Sequence, residues 1–460
     1  MTTRSTNRLN ASSDDSRPSA PVRLVHLGLG NFFRAHQAWY TEHAPDAAEW
    51  GIAAFTGRRP DMAEVLAPQD GRYTLITKQG SGDRYEVISS VVAVHSSDDH
   101  AAYLGYLRDP QVAVVTSTVT EYGYVRAADG HLDAERVADD ITALQGDPTA
   151  PVASAPAKLV AGLLTRRAAD AGSITILPCD NLPDNGPAVR TVVVDLAERV
   201  DPSLISWIDE HVEFATCMVD RITPATTDGD VAAVQEAQGY TDASPVPTEP
   251  FSEWVISGSF AAGRPDWAAA GAQLVDDVRP YEERKLWLLN GAHSLLAYAG
   301  SILGHDTVDE AIGDERCREW VEQWWDVACP LLSLADAELA AYRTALMDRW
   351  ANPSIRHLLA QIAADGSQKL PVRIVPVLTA ELAAGRSPAG VVRPIAAWTM
   401  HLRGRGAPVN DAGGTSVQQA ASGPIEDAVP RVLALLGAPT QDVVMRAVLA
   451  QVTEIEAFAG

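Results

Sequence analysis

The chain has 460 residues, of which 46% are hydrophobic and 21% charged, enough to bury a large core across about two or three domains. Lys and Arg number 36 against 60 Asp and Glu, and the formal net charge of -24 excludes nucleic acid and anionic membrane surfaces as partners, while a local basic pocket can still hold a small anion. Cys179, Cys217, Cys317 and Cys329 form no C-x-x-C pair and no zinc or disulfide spacing, which fits a reduced, cytoplasmic protein with no metal site.

Residues 1–20, rich in Ser, Thr, Asn and Asp, predict a disordered tail without an apolar export segment. No run of about 18 apolar residues follows, so no membrane span is expected. From Val22, "VRLVHLGLGNFFRAHQAWYTEH" reads as a short strand, a glycine turn and a helix, the opening of a nucleotide-binding βα unit. Gly28 and Gly30 supply the first two glycines of a dinucleotide fingerprint, with Phe33 in the third position. By itself that pattern is either a cofactor turn or a plain strand-to-helix turn.

The next apolar run, "GIAAF", should end near an adenosine ribose, where an acidic residue would favour NAD. Arg58 and Arg59 come first, either to stack on adenine, to hold a 2'-phosphate or to be solvated, and Asp61 is late for the ribose. NAD is the expected cofactor and NADP stays open. "YTLITK", "YEVISSVVAVH", "VAVVTSTVT", "SITILPCDNL" and "EFATCMV" continue the strand-like runs, with helix-length segments such as 156–171 and 187–200 between several of them. This alternation predicts an α/β fold with a mostly parallel sheet covered on both faces. "YTLITK" and "YEVISS", joined by "QGSGDR", predict a hairpin added to that sheet.

Beyond about residue 270 the pattern turns helical, in "YEERKLWLLNGAHSLLAYAGSILG", "CREWVEQWWDVACPLLSL", "ADAELAAYRTALMDRW", "IRHLLAQIAADG" and "DVVMRAVLAQVTEIEAFAG", interrupted by the loop "GRGAPVNDAGGTS". A substrate cleft is expected between the two parts.

One of these helices carries polar residues among its leucines. At about 100° per residue, with Lys285 at zero, Glu282 falls near 60°, His293 near 80° and Asn290 near 140°. Either this is a core helix whose polar groups find backbone partners, or the residues form a site. Oxidising a secondary alcohol with a nicotinamide needs a base for the hydroxyl proton and donors for the developing oxyanion. A desolvated Lys285 suits the first task, and Asn290 and His293 the second. Asp180, Asn181, Asp184 and Asn185 in "CDNLPDNG", and Asp220 and Arg221 in "MVDRITPAT", follow strands at the edge where α/β sheets carry ligands; each set is either ordinary loop chemistry or part of the site.

From about Arg23 onward, "HLGLGNFFRAHQA", "QDGRYTL", "TSTVTEYGY", "CDNLPDNG", "MVDRITPAT", "EPFSEWVI", "GRPDW", "VRPYEERKLWLLNGAHSLLAYAG" and "DGSQKLPVR" together resemble the polyol-specific long-chain dehydrogenases typified by mannitol dehydrogenase, including the fructuronate and tagaturonate reductases. The resemblance implies a Rossmann-type NAD-binding domain over residues 21–270, a mainly α-helical substrate and catalytic domain over 271–460, and a metal-independent NAD-linked enzyme. It makes Lys285 the catalytic lysine, Asn290 and His293 its partners, Asn181 a second oxyanion donor and Glu282 a proton relay. It places substrate contacts at Asp220, Lys369 and position 361. Cofactor contacts fall on Gly28, Gly30, Asn31, Phe32, Phe33, Arg34, Arg58, Thr118 and Glu121.

Three positions depart from the family pattern: Tyr122 replaces a lysine, Phe33 a histidine, and Gln361 an arginine that binds substrate. "KLWLLNGAHSLLAYAG" and "DGSQKLPVR" are similar to the fructuronate reductase (D-mannonate oxidoreductase) branch, with Lys369 and Arg373 able to anchor a carboxylate, whereas Gln361 favours a neutral polyol. A sugar acid is slightly preferred, with mannitol or arabinitol as the alternative. A noncatalytic NAD-binding sensor is disfavoured by the retained Lys285, Asn290, His293 and Asn181, and a zinc alcohol dehydrogenase by the lack of a Cys/His ligand set. The expected assembly is a monomer or small homo-oligomer.

Overall fold

The computed structural model describes residues 8–13, 19–57 and 59–459. Its contacts divide the chain into two compact units, Met1–Arg279 and Pro280–Gly460. Part of the stretch expected to be a disordered tail is ordered: Leu9 is fully buried and its N–H donates to the Thr241 carbonyl at 3.0 Å, so one apolar side chain anchors residues 8–13. The remaining described residues of that stretch are 19 and 20; the others lie outside the described residues.

In the first unit, strands β1 (Val22–Leu27), β2 (Gly51–Phe55), β3 (Tyr73–Thr77), β4 (Arg84–Ile88), β5 (Val91–His95), β6 (Val114–Ser117), β7 (Ile174–Pro178), β8 (Val212–Phe214), β9 (Thr216–Asp220), β10 (Val246–Thr248), β11 (Glu253–Ser257) and β12 (Gln273–Leu274) form three sheets. The main sheet runs β5-β2-β1-β6-β7-β8 with every neighbouring pair parallel. The chain leaves β1 outward through β2 and β5, then returns beside β1 with β6 and continues to β7 and β8. This is the Rossmann strand order, with its reversal at the β1/β6 junction.

Alternate residues of these strands serve two cores, which is why the strands read as unbroken apolar runs. Val25, Leu27, Phe55, Val115 and Ile176 meet the helices Ala155–Ala168 and Asn185–Val200 on one face. Leu24, Ile52, Val114 and Leu177 pack on the other with Phe33, Tyr40, Trp254 and Trp267.

Two expected runs are divided. "YEVISSVVAVH" breaks after Ile88: β4 pairs antiparallel with β3 in a small sheet with β10, while β5 joins the main sheet. The hairpin is therefore not an extension of the parallel sheet, because only the second half of the run aligns with β2. "EFATCMV" breaks at Ala215, where β8 ends the main sheet and β9 turns to pair antiparallel with β11.

The second unit is helical. Glu315–Ala328, Asp336–Trp350, Arg393–Leu402 and Asp442–Ala459 bury Trp324, Trp325, Trp350 and Trp398 with Leu295, Leu346 and Ile395. "IRHLLAQIAADG" keeps only the short helix Leu359–Ile362, since Leu358 bridges to Thr307 and draws the preceding residues into an extended path. Among the described residues no helix is long and apolar enough to cross a membrane.

Candidate functional site

At the β1/β6 reversal the backbone of Gly28 adopts φ +114°, and a Cβ added there would lie 2.4 Å from the Thr118 carbonyl oxygen. Only glycine fits that close approach. Thr118 Oγ1 donates to the Gly28 carbonyl at 2.8 Å, tying the turn after β1 to the end of β6. Gly30 precedes the short helix Asn31–Ala35, and a Cβ added there would make only an ordinary contact, 3.7 Å from the Gly28 carbonyl oxygen.

Beneath the turn lies His26, a polar residue inside an apolar strand. It sits opposite Thr116 in register, with Nδ1 2.8 Å from Thr116 Oγ1 and Nε2 3.0 Å from Thr118 Oγ1. Phe33 stacks on its ring at 3.5 Å. Burial pushes the imidazole pKa down to about 3, so it is neutral at ordinary pH. Phe33 and Arg34, expected among the cofactor contacts, are fully buried instead. Phe33 fills the space under the turn, and Arg34 donates to the Ser244 carbonyl at 2.6 Å and to Asn31 Oδ1 at 2.7 Å. Asn31 is half-buried and its amide donates to the Pro224 carbonyl and to Thr226, so the turn is braced against the segment that follows Asp220. Phe32 is half-buried beside His36. Arg58 lies outside the described residues; Glu121 opens the turn Glu121–Tyr124, and its side chain lies outside them as well.

Further along the same sheet edge, Asn181 is exposed just after β7. The residue before it, Asp180, is buried, accepts from Tyr124 Oη at 2.5 Å and from the Leu182 N–H at 3.1 Å. Tyr124 also lies 2.8 Å from Ser117 Oγ, and burial, reinforced by Asp180, raises its pKa well above the usual phenol value. Asn185 is structural: it is buried and bonds the Cys217 backbone in both directions. Asp220, the last residue of β9, is buried; Arg221 donates to the Ala35 carbonyl at 2.5 Å and to the Glu249 carbonyl.

In the second unit, the helix Arg279–Arg284 runs into a π-helical segment, Lys285–Gly291, then an α-helical turn Ala292–Leu295 and a second π segment, Leu296–Gly300. The uniform 100° spacing therefore fails here. A π turn closes i→i+5 and advances roughly 80° per residue. Counted from Lys285, Asn290 moves to roughly 40° and His293 to roughly -40°, with Glu282 still near 60°. The arc holding all four narrows from about 140° to roughly 100°. Glu282, Lys285 and Asn290 are half-buried and His293 is buried, its ring 5.3 Å from Trp350 and 5.2 Å from His357.

The carbonyls of the π segment have partners outside the helix. Trp324 Nε1 donates to the Trp287 carbonyl at 2.9 Å and Trp325 Nε1 to the Leu288 carbonyl at 2.8 Å. Arg373 Nη1 lies 3.4 Å from the Asn290 carbonyl and 3.2 Å from Ser294 Oγ. Arg373, expected to anchor a carboxylate, thus also braces this helix. It ends the helix Gly366–Arg373, whose Lys369 is half-buried with Nζ 3.2 Å from the Ile362 carbonyl. Burial, and then the Arg373 charge, hold the Lys369 ammonium below the usual lysine value. Asp411 accepts from the Ser367 N–H and hydroxyl, so the loop "GRGAPVNDAGGTS" secures the start of that helix. Gln361 is exposed. Among the described residues no three His, Cys, Asp or Glu side chains gather as metal ligands.

The family model for the mannitol dehydrogenase Rossmann domain matches residues 22–269, and that for the mannitol dehydrogenase C-terminal domain matches residues 277–453. The chain belongs to the mannitol dehydrogenase family. Within it, the chain is 38% identical to the D-mannonate oxidoreductase of Escherichia coli (strain K12), over 83% of this chain and 80% of that protein. It is also 38% identical to the D-arabinitol 4-dehydrogenase of Ralstonia nicotianae, over 80% of each. The Pseudomonas fluorescens mannitol 2-dehydrogenase, solved as a ternary complex with NAD and D-mannitol, superposes with a TM-score of 0.80 at 29% identity, covering 99% of this chain and 96% of that one.

Against the mannitol dehydrogenase pattern, the residues that sequence reasoning passed over are supports: His26 under the turn, Tyr124 behind Asp180, and Trp324 and Trp325 behind the helix. His26 carried a signal, a lone histidine in an apolar strand. The indoles carried none, because tryptophans in an amphipathic helix read as core.

Proposed function

We propose that this member of the mannitol dehydrogenase family is an NAD-dependent oxidoreductase that interconverts a secondary alcohol and a ketone on a sugar acid or polyol. The observation that carries the reading is the placement of Glu282, Lys285, Asn290 and His293 on one narrow arc of a π-widened, largely buried helix. The Gly28 turn suits a dinucleotide: it sits at the sheet reversal, and glycine there lets the turn pack directly against the Thr118 carbonyl. Bound NAD supplies the hydride acceptor.

In the oxidation direction, Lys285 as the free amine takes the hydroxyl proton, and Asn290 and Asn181 donate hydrogen bonds to the oxygen as it gains negative charge. His293 orients that oxygen or its neighbour. Glu282 passes the proton to solvent, and Asp220 and Lys369 hold the remaining hydroxyl or acid groups. Gly28, Gly30, Asn31 and Thr118 shape the cofactor turn, with Phe32 beside them.

A sugar acid of the D-mannonate/D-fructuronate type is favoured slightly over mannitol or arabinitol, because Lys369 and Arg373 bring two cations together on one short helix. The likeness to a D-mannonate oxidoreductase and to a D-arabinitol 4-dehydrogenase is equal and does not separate the two classes. The test is turnover of mannonate, altronate, mannitol, arabinitol and sorbitol, each with NAD and with NADP. Mannonate or altronate with NAD should give the highest kcat/KM; a preference for mannitol would reassign the substrate class, and no turnover at all would leave a noncatalytic nucleotide-binding protein.

A further inference from the structure

We propose that Trp324 and Trp325 are positioning residues for the reaction, acting through their indole N–H groups to hold the segment Lys285–Gly291 in its π register. The inference rests on the oxidoreductase reading above. A chain of α-helical bonds satisfies each carbonyl with the N–H four residues on; a π turn accommodates one extra residue and leaves carbonyls poorly served unless other donors reach them. Two consecutive carbonyls of this segment, those of Trp287 and Leu288, receive indole donors at 2.9 and 2.8 Å. These are full-strength hydrogen bonds in a buried setting, from adjacent residues of one helix, Glu315–Ala328.

The packing is specific to this arrangement. A Cβ added at Gly291, the last residue of the π segment, would lie 2.7 Å from Trp324 Cζ2, so the glycine is what lets the indole come alongside the helix. Trp325 stacks on Trp350, which in turn borders His293. The two indoles therefore touch the backbone that carries Lys285 and Asn290 and the aromatic wall beside His293, without belonging to the reacting set.

The consequence is angular. If the segment relaxed to a regular α-helix, Asn290 and His293 would swing by roughly 100° and roughly 120° about the axis relative to Lys285. The base and the oxyanion donor would no longer address one oxygen atom.

The deciding experiment replaces Trp324, and separately Trp325, with benzothienylalanine, which keeps the bicyclic ring and lacks the N–H donor. Trp324→Phe and Trp325→Phe serve as conventional companions. Each donor-less protein should keep its far-ultraviolet circular dichroism and its NAD dissociation constant, measured by calorimetric titration. Its kcat should fall about tenfold, the effect of one lost buried hydrogen bond, with KM for the alcohol changing less than twofold. The pH profile of kcat should also shift, since the surroundings of Lys285 change. Unchanged kcat and pH profile in the benzothienylalanine proteins would overturn the positioning role. Wild-type turnover abolished by Lys285→Ala keeps the underlying reading intact in that case; absence of wild-type turnover removes both.

Discussion

The glycine turn of the first unit and the polar helix of the second reach their geometry by opposite routes. At the turn the constraint is local: one glycine at φ +114° faces one carbonyl, and no other residue at that position fits. In the helix the constraint is remote, since the π segment is held by donors more than thirty residues away, Trp324, Trp325 and Arg373. A turn of the first kind fails all at once when a side chain is added. A helix of the second kind can lose one donor and keep its fold while losing the alignment of its polar groups.

The largest effect should come from Lys285→Ala, which removes the base. We expect kcat to fall by at least about 1000-fold, of the order seen when a general base and its charge are lost together, with the NAD dissociation constant within about twofold of wild type. Steady-state kinetics and calorimetric titration check the two halves. Loss of NAD affinity alongside kcat would erase the separation between the two regions.

Next is Gly28→Ala. The added methyl collides with the Thr118 carbonyl and sits on a backbone conformation that alanine resists. The strain should cost about 2 to 3 kcal/mol, read as about a 30- to 150-fold rise in the NAD dissociation constant or an equivalent loss of stability in urea. Normal NAD affinity and stability would mean that the turn is less constrained than its contacts indicate.

How much of this was legible follows the same division. The glycine turn and the parallel sheet were readable because their signals are local: short apolar runs, glycine spacing and intervening helices. The grouping of Lys285, Asn290 and His293 was visible only coarsely, since an α-helix spreads these spacings over about 140°. The π register was not, because it depends on indoles brought alongside by tertiary packing, and nothing in "KLWLLNG" itself departs from an ordinary helix. The burial of Phe33 and Arg34 was not legible for a related reason. A fingerprint says which residues flank a cofactor turn, but which of them face inward depends on the layer beneath, here His26, Tyr73 and Ser244.

That layer makes a pH prediction. His26 stays neutral in the fold down to about pH 3, whereas in the unfolded chain it takes up a proton near its ordinary value of 6.5. Its contribution is therefore fully present above about pH 6.5 and is lost as pH falls toward 3. By pH 5 the loss should reach about 2 kcal/mol, the product of the interval and about 1.4 kcal/mol per pH unit. Urea denaturation at pH 7 and pH 5 should show that difference in the wild type and a smaller one in His26→Asn. An equal pH dependence in both would place the acid sensitivity elsewhere.

The smallest expected effect tests whether the first unit also contains a remote support. Tyr124 is fully buried, and its hydroxyl holds Asp180, whose other oxygen accepts the Leu182 N–H across Asn181. Tyr124→Phe keeps the ring and removes that hydroxyl, leaving Asp180 with one partner fewer and the Asn181 turn less defined. We expect kcat to fall about tenfold, KM for NAD to stay within about twofold, and the melting temperature to drop by only a few degrees. Two roles for Tyr124 give different outcomes. If Tyr124 serves only the core, stability should fall and kcat should not, because Asn181 would keep its direction. If it directs Asn181, kcat should fall even in the folded enzyme, and the loss should largely disappear in an Asn181→Ala background, where there is no amide left to aim. Full additivity of the two substitutions would confine remote support to the helix of the second unit.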